Sequence, residues 1–356
     1  MAHKIQKTIA RQQEKIAEGQ YYEAHQQLRV IASRFVKQEN WNAAIEILTG
    51  GAISLMKAGQ GGSGGDLCLF LMDVYRKGEV KSDATSKGMD ILKHKSWLRP
   101  KSHFYNNADS MLSQNTGRLL TLVRAFPPGE PTRKRFINEM VAWSGKFGEF
   151  ESGDPELHHV AGTLFAEDHD PYDAERHLAL GTKDSPEVFS RLEYEWYKDD
   201  DSHTAALYLA RVVFPYLLVG NLHSANKSFL IFTSQLVSSN PSLSVQEVST
   251  TSSDMRVYPS LPLLNFIGLL LLAIQRQSAD VFKQLAKHYA PYIKEVGVWD
   301  DALANIGELY FGVKIPRQGN PLMDMMGSML FGGGSKPQPK PKQVAPPAPP
   351  PPMDLD

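Results

Sequence analysis

Read as apolar and polar positions, the chain repeats one theme. Tyr21, Ala24, Leu28, Ile31 and Phe35 fall at i, i+3, i+7, i+10 and i+14, which lines a single face of a helix over about residues 21–38. Asn40 is placed to cap the next helix, where Trp41, Ala44, Ile45 and Leu48 renew the spacing. Residues 20–58 therefore predict two antiparallel helices with a very short connection. A bulky residue followed three positions later by alanine recurs at Tyr21/Ala24, Trp41/Ala44, His203/Ala206 and Leu222/Ala225, and the small side chain lets a neighbouring helix approach closely. The theme is tetratricopeptide-like, but its interval is irregular. The expected architecture is all-α, a right-handed α-solenoid of divergent TPR-like helix pairs that bury a continuous core.

Further helices are predicted at residues 66–80, 83–94, 108–125, 132–148, 155–167, 171–180, 186–197, 202–219 and 222–238, then at 261–276, 279–293 and 298–311. Most open on Asp, Ser, Thr, Asn or Pro. Residues 243–258, LSVQEVSTTSSDMRVY, alternate imperfectly about a Ser/Thr/Asp turn and predict one β-hairpin near the C-terminal end. A lone hairpin does not stabilise itself, so it must lie against helices, and its edges offer a place for a partner segment. The stretch that follows, PLLNFIGLLLLAI at 262–274, is the most apolar in the chain. Its 13 residues fall short of the ~20 that span a bilayer, so it is expected inside the protein.

The sequence GEFESGDP at 148–155 is the weakest internal boundary and divides the expected solenoid into halves, 1–150 and 151–316. From 317 to 356 the composition changes. Nine of the chain's 23 prolines lie between 336 and 352, which predicts a disordered, polyproline-II-like tail. Within it the Met-rich stretch PLMDMMGSMLF at 321–331 reads equally as a weakly docking helix or as an interaction segment.

Charge adds a negative finding: 38 Lys and Arg against 39 Asp and Glu give no reason to expect nucleic acid or an acidic membrane surface as partner. Cys68 is the single cysteine, so no disulfide forms within the chain, which suits a reducing compartment. The N-terminus is basic and amphipathic without an apolar core segment, and it reads as an ordinary first helix in preference to a secretory or mitochondrial leader.

Three stretches carry candidate chemistry. Gly59, Gly61 and Gly64 spell GxGxxG, but a helical pattern precedes them where a dinucleotide site requires a strand. A flexible interhelical turn, with Ser63 or Asp66 capping the next helix, is expected instead. His158, His159, His169 and His177 crowd together near Glu167, Asp168 and Asp170, yet no HExxH is present and the ligands would have to come from several helices. Packing or surface histidines are the expectation; a hydrolase built on this cluster is the competing reading, which metal analysis of the purified protein decides. The run Asp199, Asp200 and Asp201 reads as a solvated turn ahead of the helix at Ser202. No cofactor and no catalytic residue can be nominated.

Several stretches together carry a resemblance: YYEAHQ at 21–26, GGSGGDL at 61–67, GDPELHHVAGTLF at 153–165, PLLNFIGLLLLAI at 262–274 and IGELYFGV at 306–313. In this order, over about residues 3–316, the chain resembles the Golgi-to-ER traffic protein four family, the helical adaptor of tail-anchored membrane-protein targeting. The resemblance implies a non-catalytic, cytoplasmic α-solenoid. It implies a ubiquitin-like-domain partner held by the C-terminal half, a dimeric targeting ATPase docked on the N-terminal half, and clients delivered by a co-chaperone. The competing scaffold reading is a subunit of a proteasome-lid-like complex; such solenoids end in a winged helix, which three helices after the hairpin disfavour.

Two surfaces follow as expectations. Val245, Val248, Met255, Val257 and Tyr258 make a small apolar hairpin surface, with Leu261, Leu264 and Phe266 as a neighbouring wall, unless these residues merely cover the core. On the N-terminal side, the core stripe of residues 21–35 leaves Tyr22, Gln26, Arg29, Val30, Ser33 and Lys37 opposite, with Arg34 at the flank. Asp66 and Asp73 lie two turns apart on a later helix. The expected ATPase dock is Tyr22, Arg29, Arg34, Asp66 and Asp73, largely electrostatic; Tyr22 and Val30 either pack on the first helix or stand exposed.

Overall fold

A computed structural model describes residues 2–82, 109–250 and 253–313. The helices are α1 (Ala2–Ala17), α2 (Tyr21–Lys37), α3 (Trp41–Lys57), α4 (Gly61–Lys77), α5 (Asp109–Ala125), α6 (Pro131–Phe147), α7 (Pro155–Glu167), α8 (Pro171–Leu178), α9 (Ser185–Tyr197) and, after a 3₁₀ turn Ser202–Thr204, α10 (Ala205–Leu218). Then come α11 (Leu222–Ser239), strands β1 (Gln246–Thr250) and β2 (Ser253–Val257), α12 (Pro262–Gln275), α13 (Ala279–His288), α14 (Ala290–Val296) and α15 (Asp300–Phe311). The compact unit runs from Met1 to Ile315. The expected helix at 83–94 and the tail at 317–356 lie outside the described residues.

The solenoid is built by each helix packing on those close to it in sequence: α2 on α3, α3 on α4, α4 on α6, α7 on α8, α9 and α10 on α11. The alanines of the repeated theme sit at these contacts, with Ala24, Ala44, Ala206 and Ala225 all buried. Polar caps set the starts. Asn40 accepts from the Ala43 amide at 3.3 Å, and Asp154 accepts from the amides of Glu156 at 2.8 Å and Leu157 at 3.4 Å, just ahead of Pro155 at the first helical position. One apolar core continues across residues 148–155, since Trp143 and Leu157 belong to the same buried cluster.

The glycine run departs from expectation. The turn is only Ala58 to Gln60, with Gly59 at φ 75°, and residues 61–65 are the first turn of α4, so neither Ser63 nor Asp66 caps it. The reason is tertiary packing. A Cβ on Gly64 would lie 2.6 Å from Met56 Cγ on α3, and one on Gly65 would lie 2.1 Å from Thr132 Oγ1 at the start of α6. Close approach on two sides outweighs the weak helix propensity of glycine.

A second departure lies near the C-terminus, where the helix expected over 279–293 is broken at Tyr289 into α13 and α14. Pro291 has no amide to donate, so the hydrogen-bond ladder of α13 cannot run through it. The strands pair antiparallel with Val248 opposite Met255 and Gln246 opposite Val257. Among the described residues they pack chiefly on each other, and hydrogen bonds at their roots tie them to α11 and α12.

Candidate partner-docking surfaces

The C-terminal candidate residues separate by burial. Tyr258, Leu261, Leu264 and Phe266 are buried within the chain, and Phe266 packs on Tyr289 at 5.5 Å and Trp299 at 6.2 Å between ring centroids. The wall expected from Leu264 and Phe266 thus faces the core of this chain. Val245 and Val257 are half-buried, Val248 is 41% exposed, and Met255 is placed only by its backbone register opposite Val248. The hairpin's return to the bundle is fixed by Asn265, whose Oδ1 accepts from Tyr258 N and whose Nδ2 donates to Tyr258 O, both at 2.8 Å. Sequence reasoning passed over Asn265. The available signal was that it is the single polar side chain in PLLNFIGLLLLAI.

On the N-terminal side, α2 turns Ala24, Leu28 and Ala32 inward and leaves Tyr22 76% and Val30 49% exposed. Neither packs away on α1. Arg34 is exposed as well. Arg29 and Asp66, expected as separate basic and acidic positions, are brought together: Arg29 Nη1 and His25 Nε2 both bond Asp66 Oδ2, the histidine at 2.7 Å. Burial raises the Asp66 carboxyl, but the hydrogen bonds and charges of Arg29 and His25 outweigh it and hold the group below its usual range. The Arg29 guanidinium also lies 5.4 Å above the Phe70 ring. Asp73 bonds Arg76 at 2.7 Å, and Arg76 reaches across to Glu139 of α6. The face therefore shows aromatic and basic groups, while both of its carboxylates are engaged by neighbours.

The histidines form a packing group. His158 Nε2 lies 2.8 Å from the Ser152 carbonyl, which can only accept, so this nitrogen carries the proton. His158 Nδ1 is then the acceptor for His177 Nδ1, 3.0 Å away, and His177 Nε2 is left bare and buried against Phe165. Desolvation pushes His158 down to about 4 and His177 to about 3, the latter also through its neighbour. His159 Nδ1 meets Ser185 Oγ at 2.9 Å, but Ser185 is fully buried and has no opening for a substrate. His169 stands exposed just past the end of α7. Among the described residues no three His, Cys, Asp or Glu side chains gather to hold a metal ion.

A second buried knot joins α8, α9 and α10. Arg211 Nε donates to Glu175 at 2.9 Å, its guanidinium lies 4.8 Å above Trp196, and the wholly buried Glu193 sits beside it. Burial, with the nearby Glu175 charge, pushes the Glu193 carboxyl up to about 9.

Of the nine large apolar side chains exposed among the described residues, two lie on α2 and six fall from Leu230 onward. No described helix is long and apolar enough to cross a membrane. A helical solenoid with apolar groups exposed mainly in two separate stretches, and polar clusters that lock its own helices together, is of the scaffold class.

Comparison with known proteins identifies which scaffold. The sequence pattern of the family described as Golgi to ER traffic protein 4 matches residues 38–330, and the chain belongs to this family. It is 60% identical over 341 residues to Golgi to ER traffic protein 4 of Aspergillus fumigatus, covering 94% of this chain and 92% of that protein. It is 30% identical to the Schizosaccharomyces pombe protein of the same name, covering 87% and 91%, and 27% identical to the Homo sapiens homolog, covering 92% and 86%. Among solved structures, a crystal structure of C. therm. Get4 superposes with a TM-score of 0.77 at 48% identity, covering 95% of this chain and all of that one.

Proposed function

We propose that the chain is a non-catalytic cytoplasmic adaptor in the targeting of tail-anchored membrane proteins to the endoplasmic reticulum. In this reading the C-terminal hairpin region holds a ubiquitin-like-domain partner, the α2–α4 face docks the dimeric targeting ATPase, and a co-chaperone brings the client to the assembled complex. Membership of the traffic family supports the pathway. The observation that carries the adaptor reading is the exposure of Tyr22 and Val30 on a helix whose opposite face buries Ala24, Leu28 and Ala32, since a tyrosine held in water by a rigid helix is a preformed anchor for another protein.

The partners are tested by affinity capture from cytosol with the full chain, read by mass spectrometry. The expected result is one ubiquitin-like-domain protein and one ATPase; proteasome subunits in their place overturn the reading. The surfaces are tested by variants that avoid the core. Tyr22→Ala with Arg34→Glu removes ATPase capture and spares the other partner, whereas Val248→Asp does the reverse. Capture of both partners at wild-type levels by both folded variants removes these faces from consideration.

A further inference from the structure

The hairpin poses a physical problem that the rest of the fold does not. Two strands of five residues cannot hold an orientation by themselves, and these pack chiefly on one another. Among the described residues, the hydrogen bonds that tie them to the helices lie at the roots. At the entry, Leu243 N donates to Asn240 O at 3.0 Å, and Asn240 is itself tied to the end of α11 through Nδ2 to Leu236 O at 3.0 Å. At the exit, Tyr258 buries its ring, its carbonyl accepts from Leu261 N at 3.0 Å, and Asn265 bonds both backbone groups of Tyr258.

The exit attachment is of a particular kind. A buried ring and the Leu261 bond to the carbonyl anchor the residue but leave the plane of its N–H free to pivot. A carboxamide that accepts from N–H and donates to C=O of one residue reproduces the pairing of a neighbouring strand and fixes the plane. Only asparagine fits: aspartate keeps the acceptor and loses the donor, leucine has neither, and glutamine is one methylene too long. Asn265 is also seated on α12 between the fully buried Leu264 and Phe266, which anchor its backbone to the core. We infer that Asn265 is the positioning residue of the hairpin, holding β1 and β2 in the one orientation on α12 that a partner finds. This rests on the hairpin being a docking surface, as proposed above.

The preorganised hairpin spares the partner the cost of ordering it, so loss of the clamp weakens binding without removing any contacting side chain. The test uses the full chain as wild type, Asn265→Ala and Asn265→Asp, with a fourth chain in which residues 245–257 are replaced by Gly and Ser. Amide exchange is followed by mass spectrometry, and affinity is measured for the recombinant ubiquitin-like-domain protein recovered by capture. In both point variants the expected result is exchange about tenfold faster in 246–257, unchanged protection in 262–275, and affinity about tenfold lower. Unchanged exchange in the hairpin overturns the clamp, and so does loss of protection in α12, which would make Asn265 a general structural residue. Faster exchange with wild-type affinity overturns the positioning role. The Gly-Ser chain then separates the two ideas: if it too binds normally the hairpin is not the docking surface, and if it fails to bind that reading stands without Asn265 as its positioner.

Discussion

Gly62 and Gly65 are three positions apart in one helix and answer opposite demands. A Cβ at Gly62 meets nothing within 4 Å, whereas at Gly65 it would lie 2.1 Å from Thr132 Oγ1 and 2.9 Å from Thr132 Cβ, with Phe126 next to it. Gly62→Ala should be neutral or stabilise by up to ~1 kcal/mol through reduced backbone entropy. Gly65→Ala should destabilise by about 1–3 kcal/mol, because α6 has to move. Thermal melts of the two variants check this; equal shifts would mean that the α4–α6 contact is not close. The paired imidazoles give a second residue-level expectation. Both folded-state values lie below the unfolded value of about 6.5, so between pH 6.5 and 4 the unfolded chain takes up protons that the folded one refuses. Their contribution is fully present above pH 6.5 and is lost as the pH falls through the folded values, by about 1.4 kcal/mol for each unit by which a group is displaced. His177→Phe should flatten that acid limb, and the difference between the two stability curves cancels groups common to both. A difference curve without slope below pH 6.5 would contradict the buried neutral pair.

Among elements, beginnings were easier to read than partners. The start of α7 is spelled by Asp154 and Pro155, and the cap is nearly fully buried, so Asp154→Ala should cost about 1–2 kcal/mol in urea denaturation; a loss under a few tenths would mean that the proline alone sets the start. Helix ends are met by groups far away in sequence. Trp143 Nε1 donates to Val80 O at 2.9 Å, Tyr216 Oη to Leu178 O at 3.0 Å and Tyr310 Oη to Leu217 O at 2.9 Å, each satisfying a carbonyl near or just past the end of a helix. No local pattern announces such bonds. The same limit governs the surfaces. Leu264 and Phe266 have the spacing of an apolar helix face whether that face meets a partner or the core, and only the placement of Tyr289 and Trp299 against Phe266 decides it. Glycine, read locally as a turn signal, became helical because its neighbours demanded the space, so α4 was expected five residues late. By contrast Tyr22 and Val30 were legible as misfits on a polar face, since a wheel needs no tertiary information to show them.

At the scale of the molecule the proposed docks share no element, one lying on α2 and α4 and the other on the hairpin. Free energies of sites without common contacts add, so a chain carrying Tyr22→Ala, Arg34→Glu and Val248→Asp should lose both partners by the sum of the separate losses, measured by calorimetric titration. An interaction term above ~0.5 kcal/mol would instead mean that the solenoid couples its two ends. Because Asp66 and Asp73 are already engaged, the unpaired basic groups of α2 should dominate encounter with the ATPase. Its association rate should fall as salt rises while that of the hairpin partner changes little, and equal salt slopes would remove the electrostatic argument.

The bond from Tyr310 to Leu217 spans 93 residues, whereas the helix pairs of the N-terminal half meet almost as soon as they are made. Contacts between adjacent segments close quickly and can form in order of synthesis, so the first helices are able to condense while the rest is still being translated. The region after α9 cannot follow the same schedule. Phe214 of α10 and Phe266 of α12 both wait for Trp299, and the end of α10 waits for Tyr310, so the most apolar stretch of the chain emerges well before its last cover does. A nascent chain stalled just past α12 should recruit general chaperones that one stalled past α4 does not, and that interval is when this scaffold is itself a client.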